Sequence, residues 1–219
     1  MKINSQPGLN YSTDSFIKKY VAPLVPYPAM ILGMLILQNA WAAILIYHAC
    51  MVLIMAFSTS GVTLKRYFYS KSLLLPLVTA LIGIAGGVLL YYLWPYLAIP
   101  SDLADYLRKI GLSSTTWPWF LAYFILINAA LEEYFWRGFL GNSSSQPVLN
   151  DFWYSGYHVI VLAGKMSWWW LAGIFVVLAG AAWLWRQMNH WSRGLLPSLI
   201  FHFTADASIM LTVYLMAGR

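Results

Sequence analysis

The chain of 219 residues is 61% hydrophobic and only 9% charged, whereas a soluble domain normally has about 25% charged residues. This composition predicts an integral membrane protein and excludes a large soluble domain. The net charge of +6 comes from small basic clusters between apolar runs, which is typical of loops that anchor helices at a lipid bilayer and not of a surface that binds nucleic acid.

The N-terminal part is predicted to contain a polar leader and three helices. Residues 1–20 are mostly polar, and we expect them to form a cytoplasmic tail. The apolar stretch 21–57 is longer than the roughly 20 residues that one span needs, and Gln38 and Asn39 fall near its middle. We therefore predict two short helices joined by a polar turn, followed by a third helix over residues 73–98.

Four further apolar segments follow, at residues 117–140, 151–164, 168–185 and 195–217. Together with the earlier helices they predict an all-α, polytopic membrane bundle of about seven transmembrane helices, or six if the stretch 21–57 crosses only once.

Two parts are expected within this bundle. Residues 21–98 form the N-terminal transmembrane helices, and residues 117–217 form a core in which most of the intramembrane charged groups lie. Charged side chains are expensive inside a bilayer and therefore mark functional sites. The second part is the expected location of any chemistry.

The basic residues predict the orientation. With the N-terminus in the cytoplasm, the inner side receives Lys2, Lys18, Lys19, Lys65, Arg66, Lys71, Arg186 and Arg193. The outer side receives Arg108, Lys109, Lys165 and Arg219. This excess on the inner side agrees with the positive-inside rule. The short chain, without eukaryotic targeting signals, favours a bacterial inner (plasma) membrane.

Three polar groups interrupt the spans of the core. They are Glu132 with Glu133 and Arg137, Tyr154 with His158, and His202 with Asp206. A charged side chain at the bilayer centre costs from about 3 to over 10 kcal/mol. At the rise of an α-helix, all three groups fall about 10–14 Å from the inner boundary. The shared depth predicts one buried polar site.

Spacing along the helices suggests how these residues divide their roles. Adjacent carboxylates project about 100° apart on a helix, so Glu132 is expected to face the chemistry while Glu133 pairs with Arg137 one turn on. Arg137 is expected to extend to the interface. His48 has no acidic partner in its own segment, and tryptophans at segment ends, Trp185 among them, are expected to be interfacial aromatics.

In order and spacing, the three polar groups resemble the motifs of the CPBP intramembrane proteases. That family includes the type II CAAX prenyl endopeptidases and bacterial relatives linked to bacteriocin self-immunity, and the resemblance covers roughly residues 117–217. It implies hydrolysis of a peptide bond in a membrane-associated protein or peptide. Clients within the family include prenylated C-terminal tails, bacteriocin leader peptides and membrane-anchored sorting signals.

The chain departs from the family pattern at three positions. Tyr154 stands where the family usually has Phe, and Trp136 stands where Phe commonly precedes the arginine. Both keep an aromatic side chain. Asp206 occupies a position more often held by Asn, and this third departure changes the chemistry that is available.

The resemblance also implies a glutamate-type mechanism. Glu132 would act as the general base and His158 would position the water with it. His202 would face the oxyanion as a donor, assisted by the residue at position 206. Because an ionised carboxylate would repel an oxyanion, Asp206 is expected either to orient His202 by accepting a hydrogen bond or to stay protonated; we favour the orienting role.

Zinc chemistry is the alternative for the same residues. Glu132, His158 and His202 are competent zinc ligands, although no His-Glu-x-x-His string is present and only one cysteine occurs in the chain. We expect catalysis without a cofactor. Two functions other than catalysis stay open: a bacteriocin-immunity or membrane scaffold protein, and a small transporter, which the absence of an internal repeat disfavours.

Overall fold

The computed structural model describes residues 16–57 and 63–217, and all regular secondary structure in these ranges is helical. The helices, named in chain order, are α1 (Ile17–Ile36), α2 (Ala40–Ala56), α3 (Leu64–Tyr67), α4 (Leu74–Tyr96), α5 (Leu103–Lys109), α6 (residues 117–139), α7 (Leu149–Leu162), α8 (Trp168–Ser192) and α9 (Leu196–Ala217). The prediction of an all-α polytopic bundle is confirmed. Most of the predicted cytoplasmic tail, and Lys2 and Arg219 of the orientation argument, lie outside the described residues.

Four of these helices are long and apolar enough to cross a membrane: α1, α4, α8 and α9. Helix α2 is apolar but has only 17 residues, and α7 has 14. Helix α6 is continuous over the predicted span but contains buried charges. The chain is therefore an integral, multi-pass membrane protein, and the number of seven crossings stays a prediction.

The polar pair predicted to interrupt the first apolar stretch lies in a turn between α1 and α2. Gln38 has a positive φ of 46°, and the side chain of Asn39 accepts a hydrogen bond from the backbone N–H of Ala42. Asparagine is a favoured N-cap for this reason. Beyond the turn the two helices meet closely, since a Cβ on Gly33 would lie 2.2 Å from the Cα of Ala43.

Helix α9 is held against α4 by small residues. A Cβ on Gly87 would lie 2.4 Å from backbone atoms of Ser208, so only glycine permits this approach. The Ser208 hydroxyl donates to the carbonyl of Gly83 at 2.9 Å, and the Thr212 hydroxyl donates to the carbonyl of Gly87 at 3.1 Å. Small residues and polar contacts of this kind set helix positions in membranes, and here they determine where the polar residues of α9 point.

Helix α6 is wider than an α-helix in two places, residues 124–128 and residues 133–139. At its end the N–H of Leu140 donates to the carbonyl of Phe135, five residues back, at 2.8 Å. Such π-helical turns are rare and are often found at functional sites. The second wide turn begins directly after Glu132.

The loop between α6 and α7 is fixed by a buried arginine of α8. Arg186 pairs with Asp151 at 2.8 Å, and both side chains are 6% exposed. Arg186 also donates to the carbonyl of Gln146 at 2.8 Å, and Gln187 donates to the carbonyl of Ser144 at 3.1 Å. Arg186, which was predicted to follow the span at residues 168–185, thus lies within α8, where a local acidic partner and loop carbonyls satisfy it.

Candidate active site

The three predicted polar groups meet between α6, α7 and α9. Glu132 is 1% exposed, Glu133 is fully buried, and His202 is 3% exposed. The close packing of α9 and the wide turn of α6 bring these side chains together from elements far apart in sequence. The structure thus places residues of all three groups in one cluster, as their shared depth predicts.

The imidazole of His202 lies between the two adjacent carboxylates. Its Nδ1 is 3.0 Å from Oε1 of Glu133, and its Nε2 is 3.5 Å from Oε2 of Glu132. Only the doubly protonated ring can donate from both nitrogens at once. Both carboxylates therefore reach the same histidine, while Glu133 also forms the predicted pair with Arg137.

Asp206 is the more distant carboxylate of the set. Its Oδ1 lies 3.6 Å from Nε2 of His202, beyond hydrogen-bond distance. Glu133 is closer to the ring. Asp206 was expected to orient His202 through a hydrogen bond. In the structure, Glu133 makes the hydrogen bond that orients the ring.

The ion pair predicted between Glu133 and Arg137 is present, with 3.0 Å between Oε1 and Nη1. Arg137 is only 7% exposed and does not extend to the interface as expected. Its guanidinium lies over the rings of Tyr154, at 4.2 Å, and Trp185, at 4.5 Å. Aromatic faces attract a cation and let an arginine be buried.

Trp185 is buried rather than interfacial, at 3% exposure. Its indole stacks on the imidazole of His202, with centroids 5.0 Å apart and an angle of 23° between the rings. The interfacial prediction is wrong because Trp185 lies on the face of α8 that packs inside the bundle. The position of a residue along a helix does not tell which side of the helix its side chain is on. The indole and Glu133 together restrain the orientation of His202.

Glu132 accepts a hydrogen bond from the hydroxyl of Tyr157. This tyrosine was missed by sequence reasoning; the available signal was a tyrosine beside His158 at the predicted depth. The other oxygen, Oε2, is buried and accepts no hydrogen bond from the described residues. Glu132 thus has one oxygen held by the protein and one that faces His202 alone.

His158 lies beside the cluster with an intermediate exposure. Its Nδ1 is 2.8 Å from the carbonyl of Tyr154, one turn back. Because a carbonyl only accepts, Nδ1 carries the proton and Nε2 of the neutral ring is left as an acceptor. Among the described residues, no carboxylate lies within ion-pair distance of His158, so Tyr157 is the residue of α7 that contacts Glu132.

Two further polar residues extend the site beyond the three motifs. Asn128, one turn before Glu132 on α6, donates to Oδ2 of Asp206 at 3.3 Å. The oxygen of the same amide lies 3.1 Å from Nε2 of His48 on α2. His48 was expected to be unrelated to the acidic groups because its own helix has none, but the contact runs through Asn128.

The zinc alternative requires three side chains placed as ligands around one point. Within residues 16–57 and 63–217, no three side chains of His, Cys, Asp or Glu are arranged to hold a metal ion. The arrangement of Glu132, His158 and His202 therefore does not fit a metal centre.

Residues 114–208 match the sequence model of one protein family, described as Type II CAAX prenyl endopeptidase Rce1-like. The matched segment contains all three polar motifs, from Glu132 to Asp206, and leaves out α1, α2 and α4. Neither a curated protein nor a solved structure gave a significant match. The match confirms the resemblance drawn from the motifs: residues 114–208 are similar to the Rce1-like type II CAAX prenyl endopeptidases.

Proposed function

We propose that this protein is a glutamate-type intramembrane endopeptidase that hydrolyses a peptide bond of a membrane-associated protein or peptide. The main support is the buried pairing of Glu132 with His202, in which a carboxylate oxygen and an imidazole nitrogen face each other at 3.5 Å. Oε2 of Glu132 can act as a base and Nε2 of His202 as a hydrogen-bond donor toward the same reacting carbonyl. The similarity of residues 114–208 to a protease family supports the same activity.

Glu132 is the general base of the proposed reaction. Tyr157 holds Oε1, which leaves Oε2 as the oxygen that accepts a proton from the attacking water. A candidate base must reach the proton that it abstracts and be oriented by its neighbours, and the tyrosine supplies this orientation. In the first step the water oxygen forms a bond to the carbonyl carbon while its proton passes to Oε2.

His202 stabilises the oxyanion that forms on the carbonyl oxygen. Its Nδ1 is engaged by Glu133, which is in turn paired with Arg137, so Nε2 is the nitrogen available for the substrate. A donor of this kind is typically worth about 3–4 kcal/mol of transition-state stabilisation. Glu133 and Arg137 are positioning residues. They hold the imidazole so that its Nε2–H points toward the oxyanion.

His158 and Asp206 assist from opposite sides. With Nδ1 bonded to the Tyr154 carbonyl, Nε2 of His158 can accept a hydrogen bond from the attacking water. Asp206 lies on the Nε2 side of His202, as Glu132 does, and places a second carboxylate beside that N–H. In the last step the C–N bond breaks, and Glu132 gives its proton to the leaving amine.

The proposed orientation places the N-terminus in the cytoplasm of a bacterium and the site in the inner half of its plasma membrane. The inner and outer distribution of basic residues supports this arrangement. A client would then present its scissile bond near the cytoplasmic surface, within reach of Glu132 and His202.

The test is cleavage of membrane-anchored reporter peptides by the purified protein in detergent or lipid nanodiscs. Glu132→Gln and His202→Gln should each lower kcat by about 100-fold or more, while the control Asp105→Asn, a carboxylate exposed on α5, should retain full activity. A strong chelator should have no effect. Zinc-restorable loss with the chelator would contradict the metal-free mechanism, and unchanged activity in Glu132→Gln would overturn the assignment of the base.

A further inference from the structure

A chain of hydrogen bonds passes through His48 of α2 and leads to the candidate site. The proposed reaction does not use the residues that link its two ends. It begins at the hydroxyl of Tyr123, 2.8 Å from Nδ1 of His48. It continues from Nε2 of His48 to Oδ1 of Asn128 at 3.1 Å and from Nδ2 of Asn128 to Asp206 at 3.3 Å. His48 and Asn128 are each 4% exposed.

The chemistry of the groups gives this chain a direction. An ionised carboxylate only accepts, so Asn128 must present its NH₂ group to Asp206 and its oxygen to His48. Nε2 of His48 must then carry the proton, and Nδ1 is left to accept from Tyr123. Every bond is consistent with a single tautomer of His48 and a single orientation of the amide.

The location of these residues argues against a purely structural role. Asn128 lies in the first wide turn of α6, one helical turn from Glu132 and on the same side. In the described structure, the side-chain hydrogen bonds of His48 and Asn128 lead to the site on one side and to Tyr123 on the other. Buried polar side chains inside a membrane protein are expensive unless fully paired.

We propose that Asn128 and His48 are positioning residues that hold the Asp206 carboxylate beside His202. The inference deepens the proposed protease function and rests on it. Because Asp206 lies at 3.6 Å from Nε2 of His202, a rotation of its carboxylate would change the distance between the carboxylate oxygens and that N–H. Asn128 restrains that rotation, and His48 restrains Asn128. A helix outside the family match thereby contributes to the site.

The kinetic test uses Asn128→Leu, which keeps the shape of the side chain and removes both hydrogen bonds. It should lower kcat by up to about tenfold, and by no more than the loss of the Asp206 side chain itself, with KM unchanged. His48→Phe should lower kcat by a smaller factor, and His48→Gln, which keeps an N–H donor, should recover most of it. The matched control is Thr79→Val, a buried hydroxyl that bonds only within α4.

Action through Asp206 is tested by combining substitutions. If Asn128 works by holding Asp206, then Asn128→Leu should cause no further loss of kcat in a protein that already has Asp206→Ala. Additive losses would overturn the positioning role, as would an unchanged kcat in Asn128→Leu or a loss of the same size in Thr79→Val. Melting temperatures in detergent identify any variant whose loss of activity is a loss of folding.

A measurement without substrate separates this inference from the proposed function. In protein labelled with ¹⁵N-histidine, the spectrum of His48, assigned by its disappearance in His48→Gln, should show a neutral ring protonated on Nε2. The ring signals should shift in Tyr123→Phe and in Asn128→Leu. The opposite tautomer would overturn the hydrogen-bond chain whether or not a client is cleaved. Cleavage that survives Asn128→Leu intact would overturn the positioning role while leaving the protease function in place.

Discussion

Two buried ion pairs of similar length differ in how completely the protein satisfies them. Arg186 and Asp151 meet at 2.8 Å, and the surrounding loop supplies further partners for both, including the N–H of Val148 for the carboxylate and the carbonyl of Gln146 for the guanidinium. Arg137 and Glu133 meet at 3.0 Å. There, Nη2 of the arginine and Oε2 of the glutamate make no hydrogen bond to the described residues.

The difference separates a structural pair from a functional one. A fully bonded polar network rigidifies the fold, whereas buried polar groups left without partners are costly and require an explanation. The pair on α8 closes the loop between α6 and α7. The pair on α6 lies beside Glu132, whose Oε2 also makes no hydrogen bond to the described residues. Polar atoms that are free to bind a substrate are what a site for a polar reaction requires.

The largest effect should come from breaking the structural pair. Arg186→Met leaves the Asp151 carboxylate buried and unpaired, which typically destabilises a protein by about 3–5 kcal/mol. Thermal unfolding in detergent should show the loss, and cleavage should fall in proportion to the folded fraction. Adding Asp151→Leu should recover stability. A fully stable Arg186→Met protein would contradict the structural role.

Tyr157→Phe removes the hydroxyl that holds Glu132. In contrast to Arg186→Met, it should lower activity much more than stability. The loss of one hydrogen bond to a carboxylate should lower kcat about 10- to 100-fold, with a small change in melting temperature. Steady-state cleavage and thermal unfolding of the same preparation measure the two effects. A large fall in stability with an unchanged kcat in the folded fraction would show that the contact of Tyr157 with Glu132 is structural, like the pair of Arg186 and Asp151.

The next effect concerns position 206. An asparagine can still accept from Asn128 and occupy the same volume, so Asp206→Asn should keep activity within about threefold, whereas Asp206→Ala should lose about tenfold, the equivalent of one hydrogen bond. Cleavage assays at saturating client compare the two. Equal losses would show that the negative charge itself is required.

The smallest effect is expected on α5, where Arg108 and Asp105 form an exposed pair with side chains 63% and 72% accessible. Exposed pairs contribute little because water and salt screen them. Asp105→Asn should change the free energy of unfolding by less than about 0.5 kcal/mol and leave cleavage unchanged. A measurable loss of activity would indicate that α5 contacts the client.

The features that depend on local sequence pattern could be predicted from the sequence. The turn at Gln38 and Asn39, the pairing of Glu133 with Arg137, and the meeting of three polar groups at one depth follow from hydropathy, from helical spacing and from the rise per residue. Each of these rests on positions along a helix. For the same reason the family could be recognised from seven residues in three motifs.

The errors concern rotation about helix axes and contacts between helices. Trp185 lies at the end of a predicted span, but its side chain points inward onto His202. Arg186, the next residue, is buried with Asp151 rather than exposed. Position along a span predicts depth in the membrane and cannot predict which side of the helix faces the bundle.

By itself the sequence determined the class of protein, the helices, the family resemblance and the residues that must be buried together, because hydrophobicity and spacing act within each segment. Only the tertiary structure decided which atoms meet. The contact of Glu133 with Nδ1 of His202 depends on the wide turn of α6, and the link from His48 to Asp206 through Asn128 depends on three helices. Such contacts arise from packing between segments, which no pattern within one segment specifies.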